Sequence, residues 1–327
     1  MQRAAGVALA VALLAPGTAS YEPIVATFSI VAHDPKSGDV GVAVESKFFS
    51  VGPVVPWVES GVGAIATQAA ANTTYGPRGL ELLRMGLKAE QAGRLLTDAD
   101  ERRDNRQLGI VDAQGNHFTF TGPRCQPWAG GRSGKDAEGR PYAVQGNILA
   151  GEEVVIAMER AFLAAPGELA DKLVAALAAG QAAGGDSRGQ QSAALVVKRP
   201  RGGYAGLDDR YMDLRVEDHP EPIKELGRLL GIKNAFNYLG AAFRALRDQK
   251  PEEAAAAMEQ ALQSAPENAD VLYAVAAYHA RAGRKSEALA LLGRAVERNR
   301  RLKRNAGTDQ AFAGLQEDAE FQALLKP

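Results

Sequence analysis

A chain of 327 residues with 46% hydrophobic side chains is long enough for two domains that each bury a core. Its 38 basic and 39 acidic side chains leave a net charge of −1, which excludes a global field drawing it to nucleic acid or an anionic membrane. His33, His117, His219, His279 and the single Cys125 show no pair at metal-ligand spacing, so neither a metal nor a cofactor is expected.

Residues 1–20 differ in kind from the rest of the chain. Arg3 precedes an uncharged run from Ala4 to Ala15, and Pro16, Gly17, Thr18, Ala19 and Ser20 complete a short secretory signal, with small residues placed for cleavage after Ala19 or Ser20. The apolar run is too short to cross a bilayer of ~30 Å. Export to a periplasm or the exterior, with no membrane span after cleavage, is therefore expected; the alternative is an uncleaved anchor. The lone Cys125 fits export, since an internal disulfide needs two thiols.

From Thr27 to Lys47, apolar residues alternate in two runs: Phe28, Ile30 and Ala32, then Val40, Val42 and Val44. The turn-rich Asp34-Pro35-Lys36-Ser37-Gly38-Asp39 joins them, predicting a β-hairpin that returns Glu45, Ser46 and Lys47 to the level of Thr27. A third strand is expected over Gly61 to Gln68, helices from Tyr75 and over Ala89 to Leu96, and a hairpin from Arg106 to Val111 and Phe118 to Thr121. Gly122 to Gly139 reads as a long irregular loop holding Cys125 and Trp128. Tyr142 to Leu149 predicts a strand, Val154 to Ala164 and Leu169 to Ala183 helices, and Ser192 to Lys198 and Tyr211 to Val216 the last strands. Strands alternating with helix pairs indicate an α+β sandwich with sheets inside and helix pairs outside.

His219-Pro220-Glu221-Pro222 opens a short helix through Leu230, placing a domain boundary between 231 and 232. Beyond it, Ala242, Ala254 and Ala261 recur 34 positions later as Ala276, Ala288 and Ala295, with Gly283 at a helix turn and Pro266 closing the first unit. This period marks tandem tetratricopeptide repeats, all-α, capped by a helix over Ala311 to Leu325 and able to bind a protein partner.

Thr27 is the candidate nucleophile. It follows Ala26, heads a central strand, and meets Glu45, Ser46 and Lys47. Were it the first residue, its own α-amine, with a reference pKa of ~8, could take the hydroxyl proton without a histidine. Ser-His-Asp chemistry would have to use His33 or His117, and no GxSxG elbow occurs. Asn72 and Asn147 could donate to an oxyanion or cap turns equally well. Asp186 and Arg188 could hold a polar substrate group or pair across their loop. Cys125 fits a small buried hydrophobe better than a nucleophile, and the basic run from Arg298 to Arg304 a solvated helix end.

The segments ATFSIVAHD, GVAVESKFFSVG, GVGAIATQA, YGPRGLELL, CQPWAG, VQGNILAG, AGGDSRGQQSAAL and DDRYMDLRVEDHPEPI resemble the bacterial domain of unknown function 1028 across residues 26–223. VAVESK is also similar to the second-strand acidic motif of proteasome-type subunits, with Glu45 where those have aspartate. The resemblance implies the N-terminal nucleophile hydrolase superfamily, a four-layer αββα fold over 27–231, and attack on a small amide or peptide substrate. Thr27 would be the nucleophile, Glu45 and Lys47 would tune the Thr27 pair of hydroxyl and amine, and Asn147 would stabilise an oxyanion. A catalytically inactive scaffold, with the repeats doing the binding, is the rival reading. Signal cleavage after Ala19 or Ser20 would leave Thr27 blocked, whereas a cut after Ala26 would expose it.

Overall fold

A computed structural model describes residues 27–326; the signal read at residues 1–20 and the candidate cleavage point at Ala26 lie outside the described residues. The alternation of small β-forming residues sets up β1 (Thr27–Asp34) and β2 (Asp39–Ser46) as a hairpin. Gly38, at φ +76°, donates its N–H to Asp34 O at 2.8 Å, and Asp34 Oδ1 accepts from Lys36 N at 2.9 Å. That turn fixes the register, with Thr27 opposite Ser46 and Phe28 opposite Glu45.

The strands form two antiparallel sheets. One runs β3 (Pro56–Glu59), β4 (Gly63–Ala69), β5 (Arg106–Asp112), β6 (His117–Thr121) in spatial order. The other adds β7 (Gly130–Lys135), β8 (Pro141–Gly146), β9 (Ser192–Lys198) and β10 (Arg210–Val216) to the hairpin, in the order β10-β9-β2-β1-β8-β7. Val31, Val42 and Val44 of the larger sheet pack against Ala64, Ala66 and Val111 of the smaller. On its outer face, Phe28, Ile30 and Val144 meet Met158 and Phe162 of α3 (Glu153–Ala164) and Leu173 and Leu177 of α4 (Leu169–Ala182). The smaller sheet carries α1 (Tyr75–Arg84) and α2 (Ala89–Asp98) on Ile65, Leu108 and Ile110.

Three expectations change. The segment read as an irregular loop contains β7, an edge strand of largely polar, part-exposed residues, so no apolar alternation announces it. β3 lies where no element was expected. The short helix through Leu230 is the start of α5 (Pro222–Arg247), a 26-residue helix that carries the expected boundary at 231–232 inside it. Gly227 and Gly231 weaken the local helical signal. Burial overrides them: Ile223, Leu226 and Leu230 enter the α/β core, and Ala235, Leu239 and Ala242 enter the repeat core.

The repeat region continues with α6 (Pro251–Ser264), α7 (Ala269–Arg281) and α8 (Lys285–Arg298). Its periodic alanines 242, 254, 261, 276, 288 and 295 are all fully buried, because only a methyl fits where paired helices touch. The single expected cap is divided. After α9 (Leu302–Thr308) a 3-10 stretch runs Gln310–Leu315 and α10 covers Ala319–Leu325, each opened by an aspartate, Asp309 or Asp318, that accepts backbone N–H groups. No helix among the described residues is long and apolar enough to cross a membrane.

Candidate active site

The site forms where β1 begins. Thr27 Oγ1 donates to Ser46 Oγ at 3.1 Å, and both residues are fully buried. The Thr27 carbonyl accepts the backbone N–H of Asn147 at 3.0 Å and Gln68 Nε2 at 3.2 Å. Thr27 is thus held through its main chain by the strand ends on two sheets.

Beneath it lies a ladder of buried amides. Gln68 Nε2 and Asn147 Nδ2 both donate to Gln107 Oε1, at 2.8 and 2.9 Å. Gln107 Nε2 donates to Gly146 O at 2.7 Å and Thr121 Oγ1 at 2.9 Å. Ser29 Oγ donates to Gln68 Oε1 and accepts from Gln145 Nε2, both at 2.6 Å. Gly109 is required opposite Gln145, since a Cβ there would lie 2.1 Å from Gln145 Oε1. Two acceptors of the ladder, Gln145 Oε1 and Asn147 Oδ1, are buried without a hydrogen-bond partner among the described residues. Such an atom ordinarily costs about 1–3 kcal/mol.

Strained backbone frames the ladder. Ala69, directly after Gln68, sits at φ +66°, and Ile148, directly after Asn147, at φ +54°. For a β-branched residue that conformation costs roughly 1–3 kcal/mol. Ile148 is locked there by its N–H on Gln126 O at 3.1 Å and by Ser187 N on its carbonyl at 2.9 Å.

The structure brings Thr27, Ser46 and Asn147 together, and Asp186 and Arg188 come to the same end of the sheet. Three roles need correction. Glu45 opposes Phe28 in the ladder of β1 and β2, so its side chain leaves the sheet on the helix side, opposite to Thr27 Oγ1. It is fully buried, neither oxygen has a hydrogen-bond partner among the described residues, and burial together with the charge of Asp186 pushes its pKa well above the carboxylate range. Its side chain is therefore on the face away from Thr27 Oγ1. Lys47 points outward, its Nζ donating to Gln190 O at 3.1 Å, while its backbone N–H reaches Asp186 Oδ2 at 3.3 Å. Asn147 Nδ2, the expected oxyanion donor, is engaged by Gln107.

Asp186 holds Arg188 through two contacts, 3.1 Å to Nε and 2.8 Å to Nη2, which matches the loop-pairing alternative. Asn72 belongs elsewhere: its Nδ2 donates to Asp100 at 3.0 Å and its Oδ1 accepts from Thr74, so it shapes the entry to α1. Burial raises the Asp100 pKa, yet hydrogen bonds from Asn72, the Arg102 backbone, Tyr75 and Arg106 bring it down to about 2. Cys125 Sγ donates to Arg106 O at 3.3 Å, and burial pushes its thiol up. The residues missed were Ser29, Gln68, Gln107 and Gln145; their signal is a polar side chain on the inward face of an otherwise apolar strand.

Two packed antiparallel sheets with flanking helices, followed by helical repeats, define a mixed α/β domain with a helical-repeat region. The model of the family of unknown function DUF1028 matches residues 27–226, and a tetratricopeptide-repeat model matches residues 245–304. The chain belongs to the DUF1028 family. A crystal structure of a DUF1028 protein from Silicibacter pomeroyi is similar, at 34% identity and a TM-score of 0.56, over 63% of this chain and 84% of that one. No curated protein matches the sequence.

Proposed function

We propose that the chain is an exported hydrolase of the N-terminal nucleophile type, with an αββα catalytic domain that cleaves an amide bond of a small amide or peptide substrate. The observation that carries this reading is Thr27 at the head of the central strand, clamped through its carbonyl by Asn147 and Gln68 with its hydroxyl against Ser46. The helix–sheet–sheet–helix layering supports it. Once Thr27 is the first residue, its neutral α-amine takes the Oγ1 proton as Oγ1 bonds to the acyl carbon. The C–N bond then breaks and the proton passes to the leaving amine. Water cleaves the resulting ester and a proton returns to Thr27 Oγ1. The repeat region would recruit a partner or the peptide part of the substrate.

The rival reading is a binding protein without catalysis. It is favoured by a cavity of about 480 Å³ in the repeats, lined by Phe243, Leu246, Met258, Tyr273 and Tyr278, with Phe243 half exposed. N-terminal sequencing and intact mass of the exported protein, followed by amidase assays on the form that begins at Thr27, separate the two. Thr27→Ala is expected to abolish amidase activity with an unchanged circular dichroism spectrum. A mature start at Ser20 or Tyr21 in an active preparation would sink the Thr27 mechanism.

A further inference from the structure

Asn147 presents a buried acceptor that nothing described uses. Its backbone N–H is bound to Thr27 O and its Nδ2 to Gln107 Oε1, so the residue is fixed at both donors while Oδ1 has no partner among the described residues. An orphan acceptor at zero exposure is costly, and the strained Ile148 beside it shows that the chain sustains this arrangement at further expense.

The direction of Thr27 gives the acceptor a use. In an antiparallel pair the N–H and C=O of one residue point to the same side. The Thr27 carbonyl points to Asn147, one step beyond the Phe28–Gly146 pair, so the Thr27 nitrogen lies on the Asn147 side as well.

Resting on the N-terminal nucleophile reading of Thr27, we infer that Asn147 Oδ1 is the hydrogen-bond acceptor for the α-amino group of Thr27 in the form of the protein that begins there. Asn147 is then a positioning residue. One amine N–H held on Oδ1 turns the nitrogen lone pair towards Thr27 Oγ1, the geometry that proton abstraction needs. The charged side chains of this end are engaged elsewhere or face away. Glu45 lies on the opposite face, Lys47 is turned to Gln190, and Asp186 is taken by Arg188 and the Lys47 backbone. The remaining neighbours, Gln68, Gln107, Gln145 and Ser46, are neutral.

The test uses the full chain with a removable leader cut directly before Thr27, labelled with 15N-threonine and with 13C in the asparagine carboxamides. In the wild type the Asn147 carboxamide carbon should shift with the same midpoint as the Thr27 amine. Asn147→Asp should raise that midpoint by roughly one unit or more, as a nearby opposite charge does. A flat Asn147 carboxamide across the amine titration, or an Asn147→Asp curve superimposable on the wild type, overturns the inference. Should Asn147→Asp not fold, the wild-type titration decides alone. Hydrolysis of N-acyl p-nitroanilides by the same preparation is scored separately. Coupled titration without hydrolysis removes the nucleophile reading and keeps the contact; hydrolysis with a flat carboxamide keeps the nucleophile and removes the contact.

Discussion

Two polar assemblies hold this protein, and they are built on opposite terms. The one at the junction of the α/β domain with α5 is charged and closely paired. Arg199 binds Asp39 through Nε and Nη2 at 2.6 and 2.7 Å, and its guanidinium lies 3.8 Å from the centre of the Tyr211 ring. Tyr211 donates to Glu168 at 2.8 Å and accepts from Asn237 at 2.9 Å, while Asn234 donates to Asp171. The assembly beneath Thr27 is neutral and fully buried, and leaves two acceptors without a partner among the described residues. A network whose members are satisfied secures geometry. A buried acceptor without a partner calls for an explanation, and one of the two, Asn147 Oδ1, belongs to the residue whose backbone N–H clamps the Thr27 carbonyl.

Breaking the charged assembly should have the largest effect. Arg199→Ala leaves Asp39, whose side chain is 1% exposed, without its cation; a loss of roughly 3–5 kcal/mol is expected in urea unfolding. Because the same residues brace α5, protection of its amides against hydrogen exchange should fall with it. A variant that unfolds at the wild-type urea concentration would show that the junction pairs are ornamental.

Breaking the neutral ladder comes next. Gln107→Leu strips partners from Gln68, Asn147, Thr121 and Gly146, so about 2–3 kcal/mol of stability should be lost. Amidase activity of the Thr27-first form should fall further than stability alone accounts for, since both clamps on the Thr27 carbonyl lean on Gln107. Equal stability and equal activity in this variant would erase the contrast between the two assemblies.

The smallest change, of opposite sign, concerns Glu45. Its folded pKa is raised, so folding favours the protonated acid; the chain loses stability as pH climbs from the ordinary value of 4.5 through the folded one. Glu45→Gln removes that titration. Thermal melts should show the variant gaining on the wild type as pH rises from about 5 to about 8, and parallel melting curves at both ends would contradict a raised pKa for the buried Glu45 carboxyl.

Much of the fold was legible. The alternation of Phe28, Ile30 and Ala32 with Thr27, Ser29 and Val31 predicted β1, and the recurrent alanines predicted the repeats, because both signals arise from side-chain periodicity within one element. The edge strand β7 was illegible, for a strand that buries little need not alternate. The length of α5 was equally hidden, since two separate cores share the work of stabilising one helix.

Of the candidate site, the sequence determined the hairpin that brings residues 45–47 back to Thr27, and it placed GGDSRG as a break after a helix and VQGN within the strand expected over Tyr142 to Leu149. Only the tertiary structure decided which neighbour faces the hydroxyl. A one-residue change of register would exchange Ser46 for Glu45, and the turn at Asp34 and Gly38 selects Ser46. The amide ladder was beyond sequence reading for the same reason: Ser29, Gln68, Gln107, Gln145 and Asn147 come from distant segments. Their meeting depends on two sheets packing face to face, an event no local pattern encodes.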